Sequence, residues 1–562
     1  MAETFTAAER DLLARYFTDL NGDVFALTGL PEVVKGALFA RYSRSSKSLR
    51  RLFLDEFAPG LTGDDGFAPG LTGDDGFPPR PTSNNAPMAA TTEQGIGVER
   101  AQRLYERVLT EYGDDSVAQL GGAHVAVEQA SNLLTKQLER GRLAAYLEQS
   151  TRYVAYDDKP GGRYRYYRDP DVLSGRHAAA YIRQLDAIFD TYATLLPQML
   201  DWVRTRYPPT DAASERAWRS ATKAKALDLL RGLLPAATTS NVGIFASGQA
   251  YEALLLRLHA SELAEAGTCF AALLRELRKV IPSFLTRIDR PDRGGVWSAY
   301  LRVTRADTRS LADHLLGEIA PDPVEGVTLV DWSPRDAGTA EVQLVAAMLY
   351  PHADLPEEHL LGVARRMRAD ERRQVIDAYV GERRNRRHKP GRAFERLWYR
   401  FDVLGDYGAF RDLQRHRMLT IDWQDLTTRH GYETPPEIEE AGVADRWHQA
   451  LERSAALYEQ LLDDHPAQAQ YAVCFAYRTR YVMQLNARAA MHLIELRSSP
   501  QGHPSYRRVV QQMHRLIADV AGHTVVADAM VHVDHGGAEL ERLDAERRAD
   551  ARRRQRNVGA RS

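Results

Sequence analysis

The sequence predicts an α+β protein of two tandem lobes, each with long helices packed on a small, mostly antiparallel sheet. Three observations carry this. A chain of 562 residues is longer than one hydrophobic core usually serves. Apolar residues recur at helical spacing through two separate series of segments, while strand candidates are few. Between the two series, Gly317 to Gly326 (GEIAPDPVEG) has the glycine, proline and acid content of a linker.

The elements follow in chain order. GDVFALTGLPEVVKGALFARYSRS gives a strand over Asp23–Leu27 and then a helix ending in Arg41-Tyr42-Ser43. Residues 57–66 (FAPGLTGDDG) repeat unchanged as 67–76. Gly, Pro and Asp at that density cannot build a packed element, so 57–97 is expected to be a disordered insertion. Helical patterns cover 98–112, 116–142, 175–206, 243–264 and 268–285, with a strand over Arg163–Tyr167. The second half has a strand over Val327–Asp331, then helical patterns over 340–350, 357–380, 392–415, 444–463, 475–497 and 504–521. Residues 1–56 with 98–316 therefore make the first lobe, 317–326 the linker, 327–540 the second lobe, and 541–562 a charged tail.

Composition narrows the functional classes. Against 76 acidic side chains stand 74 basic ones, a net charge of −2, which gives no reason to expect nucleic acid or an anionic membrane as partner. The basic run Arg383 to Lys389 (RRNRRHK) reads as a solvated helix end. The N-terminus carries Glu3, Glu9, Arg10 and Asp11, unlike a signal peptide, and no stretch is apolar enough for a membrane span. Two distant cysteines, Cys269 and Cys474, fit a reducing, cytoplasmic compartment. Histidine is scattered over 17 positions without HExxH spacing, so no metal site is expected. GxGxxG and GxxxxGK[ST] are both missing.

Attraction for a phosphoester must then come from local arginines. Residues 112–153, YGDDSVAQLGGAHVAVEQASNLLTKQLERGRLAAYLEQSTRY, read as a long amphipathic helix running into a loop with Arg140, Arg142, Glu148, Ser150 and Arg152. Guanidinium forks grip oxyanions in pairs of parallel hydrogen bonds, and a hydroxyl adds a further donor. A solvated charged turn is the bland alternative. Residues 475–497, FAYRTRYVMQLNARAAMHLIELR, hold Asn486, Arg488, His492 and Arg497, with Asn486 and Arg497 on one face if the whole stretch is helical. A third group is Arg415-His416-Arg417 in GDYGAFRDLQRHRMLT.

These groups resemble the flavin-dependent thymidylate synthases. Arg140-Gly-Arg142, seven residues, Ser150 and then Arg152-Tyr153 is similar to that family's RHR, seven residues, S, x-R-Y. YGDDSVAQ resembles its YGHDSVAEH, with Asp114, Gln119 and Leu120 replacing His, Glu and His. The second half keeps RHR but has Asp425 for the serine. The first half has Ser247, Gln249, Ala253 and Leu258 where the second has Asn486, Arg488, His492 and Arg497, while Gln470 stands where the first has Arg231.

The resemblance implies reductive methylation of dUMP to dTMP, with FAD as cofactor and NADPH and methylenetetrahydrofolate as co-substrates. It implies dUMP contacts from Gln137, Arg140, Glu148, Ser150, Thr151, Arg152, Arg231 and Arg415, with Arg497 activating the pyrimidine. FAD contacts would come from Ser116, Arg142, Arg415, His416, Arg417, Asn486, Arg488 and His492. Members build each site between subunits, so the complementary losses point to one composite site per chain, and a homodimer would give a four-lobed assembly. The departures leave two alternatives: C5 alkylation of another pyrimidine nucleotide, and a flavin- or nucleotide-binding pseudoenzyme.

Overall fold

The computed structural model describes residues 4–30, 45–56, 122–209, 215–319 and 326–537, with single positions between them. The expected insertion at 57–97 apart from Ala58, the helix at 98–112, Ser116 and nearly all of the tail lie outside the described residues. Two four-stranded antiparallel sheets share one topology. The first is β1 (Val24–Leu27), β2 (Gly122–Ser131), β3 (Ala144–Glu148) and β4 (Thr239–Ser247), in the order β1-β2-β4-β3. The second is β5 (Gly326–Ser333), β6 (Trp398–Asp406), β7 (Thr420–Trp423) and β8 (Arg478–Asn486), in the order β5-β6-β8-β7. The α+β fold and its two lobes are as the sequence predicts.

In each sheet the two central strands run straight into a helix. β2 leads to α1 (Asn132–Leu138), β4 to α2 (Gly248–His259), β6 to α3 (Tyr407–Leu413) and β8 to α4 (Ala487–Arg497). At every junction the last strand residue caps the helix. Ser131, Ser247, Asp406 and Asn486 accept the N–H of Leu134 (3.0 Å), Ala250 (3.4 Å), Ala409 (2.9 Å) and Ala489 (2.8 Å).

This corrects the long helices expected over 116–142, 243–264, 392–415 and 475–497. From residue 122 in the first, and after a 3-10 turn at Arg392–Arg396 in the third, each is strand and then helix. No Gly/Pro loop separates the parts and the strands are largely buried, so apolar positions run on without a break and imitate a helix. Asn486 is therefore a cap, not a helical residue three turns from Arg497. The expected strand at 163–167 makes only one bridge, Tyr166 to Thr238, and Tyr164 and Tyr166 stack on Phe189 instead. The expected 357–380 helix breaks into Glu357–Arg366 and Ala369–Val380. Helices Ala178–Arg206, Ala444–Leu462 and α5 (Pro504–Asp519) lie where the periodicity put them, whereas the helix expected over 268–285 runs over Ala264–Leu277 and is followed by a separate 3-10 turn at Pro282–Leu285. Both cysteines are free and buried.

One hydrophobic core runs through both lobes. At its centre the equivalent segments 232–237 and 471–476 pair antiparallel. Ala236 N–H donates to Val473 (2.8 Å), Ala237 to Tyr471 (2.9 Å), Phe475 to Leu234 (2.9 Å) and Ala476 to Gly232 (2.9 Å), with Pro235 bridged to Cys474. α1 and α3 meet beside them, where Tyr407 Oη donates to the Asn132 carbonyl (2.7 Å) and Gln414 to that of Lys136 (2.8 Å).

Glu265 locks this joint by accepting from Ser131 N–H (2.7 Å), Ser131 Oγ (2.6 Å) and Tyr471 Oη (2.8 Å). Burial pushes its carboxyl up to about 7 from 4.5. The unfolded chain ionises Glu265 first as pH rises, so this group's contribution to stability falls between about pH 4.5 and 7 and is flat above. The shift corresponds to about 3 kcal/mol at most. Denaturant midpoints at pH 5 and pH 8 should differ less in Glu265→Gln than in the unaltered chain; equal differences would contradict the burial argument.

Candidate active site between the lobes

Arg152 follows the turn that begins at Ser150, whose Oγ accepts the Arg152 N–H (3.3 Å). Its guanidinium grips both oxygens of Asp228 on helix Glu215–Leu230 at 2.7 Å and donates to the Gln501 carbonyl (3.0 Å) and Tyr506 Oη (3.3 Å). The ion pair holds the Asp228 carboxyl below its usual range, mainly through Arg152 and against the cost of burial. Tyr506 lies on α5, so a first-lobe loop already reaches the second lobe.

Arg231 is almost fully buried, in the turn that ends helix Glu215–Leu230. Its Nη1 reaches Asp412 of α3 at 3.4 Å. A Cβ at Gly408 would lie 3.2 Å from its Nε and Nη2, so glycine in the first turn of α3 is what leaves room for the guanidinium.

From the second lobe, Arg415 donates to Asp412 at 2.5 Å and Arg497 Nη1 at 3.4 Å. Arg497 Nε also donates to His416 Nε2 (2.9 Å), and its guanidinium lies 5.3 Å from the Tyr506 ring centre. Burial first, then Arg497, holds the His416 imidazole well below its usual range. The ring is thus neutral, as an Nε2 acceptor requires. Burial opposes ionisation of Asp412, but Arg415, Arg497 and Arg231 outweigh it and keep the carboxyl well below the usual range. Two donors of this cluster, Arg231 Nη2 and Arg415 Nε, are buried without a partner. A buried unmet donor costs about 1–3 kcal/mol, a cost an incoming anion would remove. A cleft of about 200 Å³ opens alongside, lined by Arg152, Asp228, Lys225, Glu433, Gln501 and His503 among others.

Other residues singled out in the sequence lie apart from Asp412. Arg140 pairs with the exposed Asp422 (3.1 Å) and sits over Trp423, Arg142 donates to Thr420 Oγ1 (3.0 Å), and Arg417 donates to the Ala144 carbonyl. These three stitch β3 to β7. Glu148 is buried between Arg411 (2.8 Å) and Lys136 (3.3 Å), which hold its carboxyl at about 2 despite burial. Thr151 is buried and Gln137 half-buried. Arg488 donates to the Pro390 carbonyl (2.9 Å) and meets Glu395 (3.4 Å). His492 lies 5.7 Å from His416, ring to ring.

The basic run, expected to be wholly solvated, is anchored: Arg383 is buried in a two-pronged pair with Glu495 of α4 (2.6 Å each). Burial first, then the nearby Lys389 and Arg386 charges, push His492 down. A cationic rim beside His492, whose ring meets that of His416, suits an anionic dinucleotide, so the residues present fit FAD.

The equivalent place in the other orientation is filled. Leu258 is fully buried in the core, Gln470 Oε1 accepts the Leu426 N–H (3.0 Å), and Asp425 pairs with Arg309 (3.4 Å). A Cβ at Gly141 would lie 2.5 Å from Tyr146 Oη and 3.5 Å from Arg257 Nη2, so these side chains stand where a histidine would need to go. Asp412, Asp228, Tyr506 and Gly408 were not picked out from sequence. Asp412 had a signal, three residues before Arg415 in the helix expected over 392–415; Asp228 and Tyr506, distant along the chain from Arg152, had none.

Fold and geometry define a tandem α+β protein in which guanidiniums from both halves meet around Asp412. The profile described as "Thymidylate synthase complementing protein" matches residues 80–283 and 328–522. A UPF0159 protein of Chlamydia muridarum is 36% identical over 549 residues, covering 97% of this chain and 99% of its own. One from Thermoplasma acidophilum is 32% identical over 482 residues, 81% of this chain and 93% of its own. The chain belongs to the thymidylate synthase complementing protein family, methyltransferases of the flavin-dependent thymidylate synthase type, in a tandem long form.

Among solved structures, a UMP/dUMP methylase PolB from Streptomyces cacaoi, bound with 5-Br dUMP, is 20% identical (TM-score 0.28, covering 37% of this chain and 94% of that one). The flavin-dependent thymidylate synthase ThyX of Helicobacter pylori, complexed with FAD and dUMP, is 18% identical (TM-score 0.26, 37% and 99%). Likenesses that weak identify neither ligand nor substrate for this chain.

Gly141→His is expected to cost about 1–3 kcal/mol by overpacking. Adding Tyr146→Ala should recover part of that, so a double-mutant cycle by denaturant unfolding should show coupling; additive losses would mean that Tyr146 does not fill the space.

Proposed function

We propose that the chain methylates dUMP reductively to dTMP at one composite site, with FAD as cofactor and methylenetetrahydrofolate and NADPH as co-substrates. The observation that carries this is the meeting of Arg152 and Arg231 with Arg415 and Arg497, across two lobes, around Asp412 and Tyr506, with buried N–H groups left over. On this reading the first lobe spans 1–56 with 98–316 and the second 327–540.

Arg152, Arg231 and Ser150 bind the nucleotide phosphate. A rigid guanidinium fork backed by Asp228 is already oriented for it, so little side-chain freedom is lost on binding. Arg497, aligned by neutral His416, donates to the N3/O2 edge of the pyrimidine and stabilises negative charge developing there. That charge is worth most in a site closed to water, and Arg497 is largely buried already. Arg488, Asn486, His492 and the Arg386–Lys389 rim hold FAD, which when bound supplies the hydride relay. No cysteine nucleophile is called on. Burial pushes the Cys474 thiol up to about 12 and the Cys269 thiol higher still, so neither ionises readily.

Reduced flavin on the purified protein should be reoxidised by methylenetetrahydrofolate only when dUMP is present. Arg497→Ala should lower that rate at least about a hundredfold with an unchanged circular dichroism spectrum. Titration should find one dUMP per chain. Full activity in Arg497→Ala, or two equal nucleotide sites, would overturn the proposal.

A further inference from the structure

Asp412 is the group on which the arginines meet, yet it is given no contact with nucleotide or flavin above. Three guanidiniums, Arg231, Arg415 and Arg497, reach its two oxygens at 3.4, 2.5 and 3.4 Å. It is buried on α3, and the Arg152 charge acts on it as well. A carboxylate is a poor choice for lining an anion site: it repels the ligand that the arginines attract. Its presence therefore needs a reason.

Assembly is one part of the reason. Four guanidiniums in a largely buried space repel one another, and ions taken from water without partners are costly. A fixed internal anion lets them gather before any ligand arrives. Charge selection is the other part. Among the described residues, carboxyls stand around the cluster: Asp412, Asp228 on Arg152, and Asp406, which caps α3 and whose carboxyl burial pushes up while the Arg231 charge pulls it back down. In the neighbouring group Lys136 and Arg411 are paired with the two carboxyls of Glu139 and Glu148, and burial and nearby arginines hold His416 and His503 well below their usual range, so they are neutral. Among the described residues the excess of positive charge is therefore small, which suits a ligand of small charge, and two buried N–H groups, Arg231 Nη2 and Arg415 Nε, are left without a partner.

We infer that Asp412 is a positioning and specificity-determining residue, an internal anion that holds Arg231, Arg415 and Arg497 together and limits the site to a phosphate monoester. The inference rests on the nucleotide site proposed above. Each added phosphate brings about one more negative charge at neutral pH and should meet Asp412 as a repulsion that the monoester largely avoids. Removing the carboxylate should relax that discrimination, whatever it does to affinity as a whole.

The test is the ratio of affinities for dUMP and dUDP, measured by calorimetry on the full chain at constant ionic strength. A ratio taken within one protein cancels any general loss of preorganisation. The unaltered chain should favour dUMP, and Asp412→Asn should shift the ratio toward dUDP by about tenfold, whereas Asp412→Glu should keep it near the unaltered value. Asp412→Gln is the second neutral variant should the asparagine form not fold. A folded neutral variant with an unchanged ratio overturns the inference and leaves the proposed function standing. Failure of the unaltered chain to bind dUMP overturns both.

Discussion

Residues 232–237 and 471–476 run antiparallel at the centre of the molecule, each completing hydrogen bonds the other cannot complete alone. They are equivalent segments of the two halves, and equivalent segments that pair antiparallel impose an approximate two-fold axis. The arrangement of the lobes follows. It sets Arg231, at the start of the first segment, against α3 of the second lobe. It also brings α1 and α3 side by side, so that Tyr407 meets Asn132 and Gln414 meets Lys136. Each such bond contributes only about 0.5–1.5 kcal/mol net, but losing one would leave a buried backbone group unmet, so the joint resists partial opening.

A symmetric frame carries asymmetric chemistry, and the difference is local. Gly408 and Leu133 occupy the same place, second in α3 and second in α1. With glycine, a guanidinium packs against the helix; with leucine, that volume is apolar side chain. The partner position agrees: Arg231 faces Gly408, and its counterpart is Gln470, turned to the Leu426 backbone. Arg497 and Leu258 form a second matched pair, one holding His416 and Asp412, the other sunk in the core. Several contrasts thus point the same way, one orientation keeping the cations and the other closed by packing.

Much of this was legible in the sequence, and the rest was not for identifiable reasons. The α+β class, the two lobes and the helices distant from the sheets followed from periodicity, because a surface helix shows its apolar stripe plainly. The four strand-to-helix junctions did not, because a capping Ser, Asp or Asn ends a strand as readily as it begins a helix. Arg152, Arg231, Arg415 and Arg497 were visible through spacing and resemblance, which follow single chain segments. Asp228 and Tyr506 were not visible, since their roles exist only where segments 76 and 354 residues apart in the chain meet. Arg140 and Arg142 show the converse: a motif kept in sequence whose side chains here tie β3 to β7.

Joining two such lobes in one chain has a physical consequence beyond stability. When a site forms between identical subunits, every substitution appears on both sides of it, so an arginine lost from one role is lost from all copies. In a single chain the two halves remain at a high, fixed effective concentration and every pairing is of first lobe with second. Leucine at 258 then has no bearing on Arg497, nor glutamine at 470 on Arg231. The closed orientation is free to become core, as Leu258 and Leu133 have, and to add to the burial that holds the lobes together. The open one is relieved of the need to be self-complementary. An acidic residue such as Asp412, which in a symmetric assembly would be repeated in every site, is tolerable where the arginines outnumber it and only one such cluster has to form.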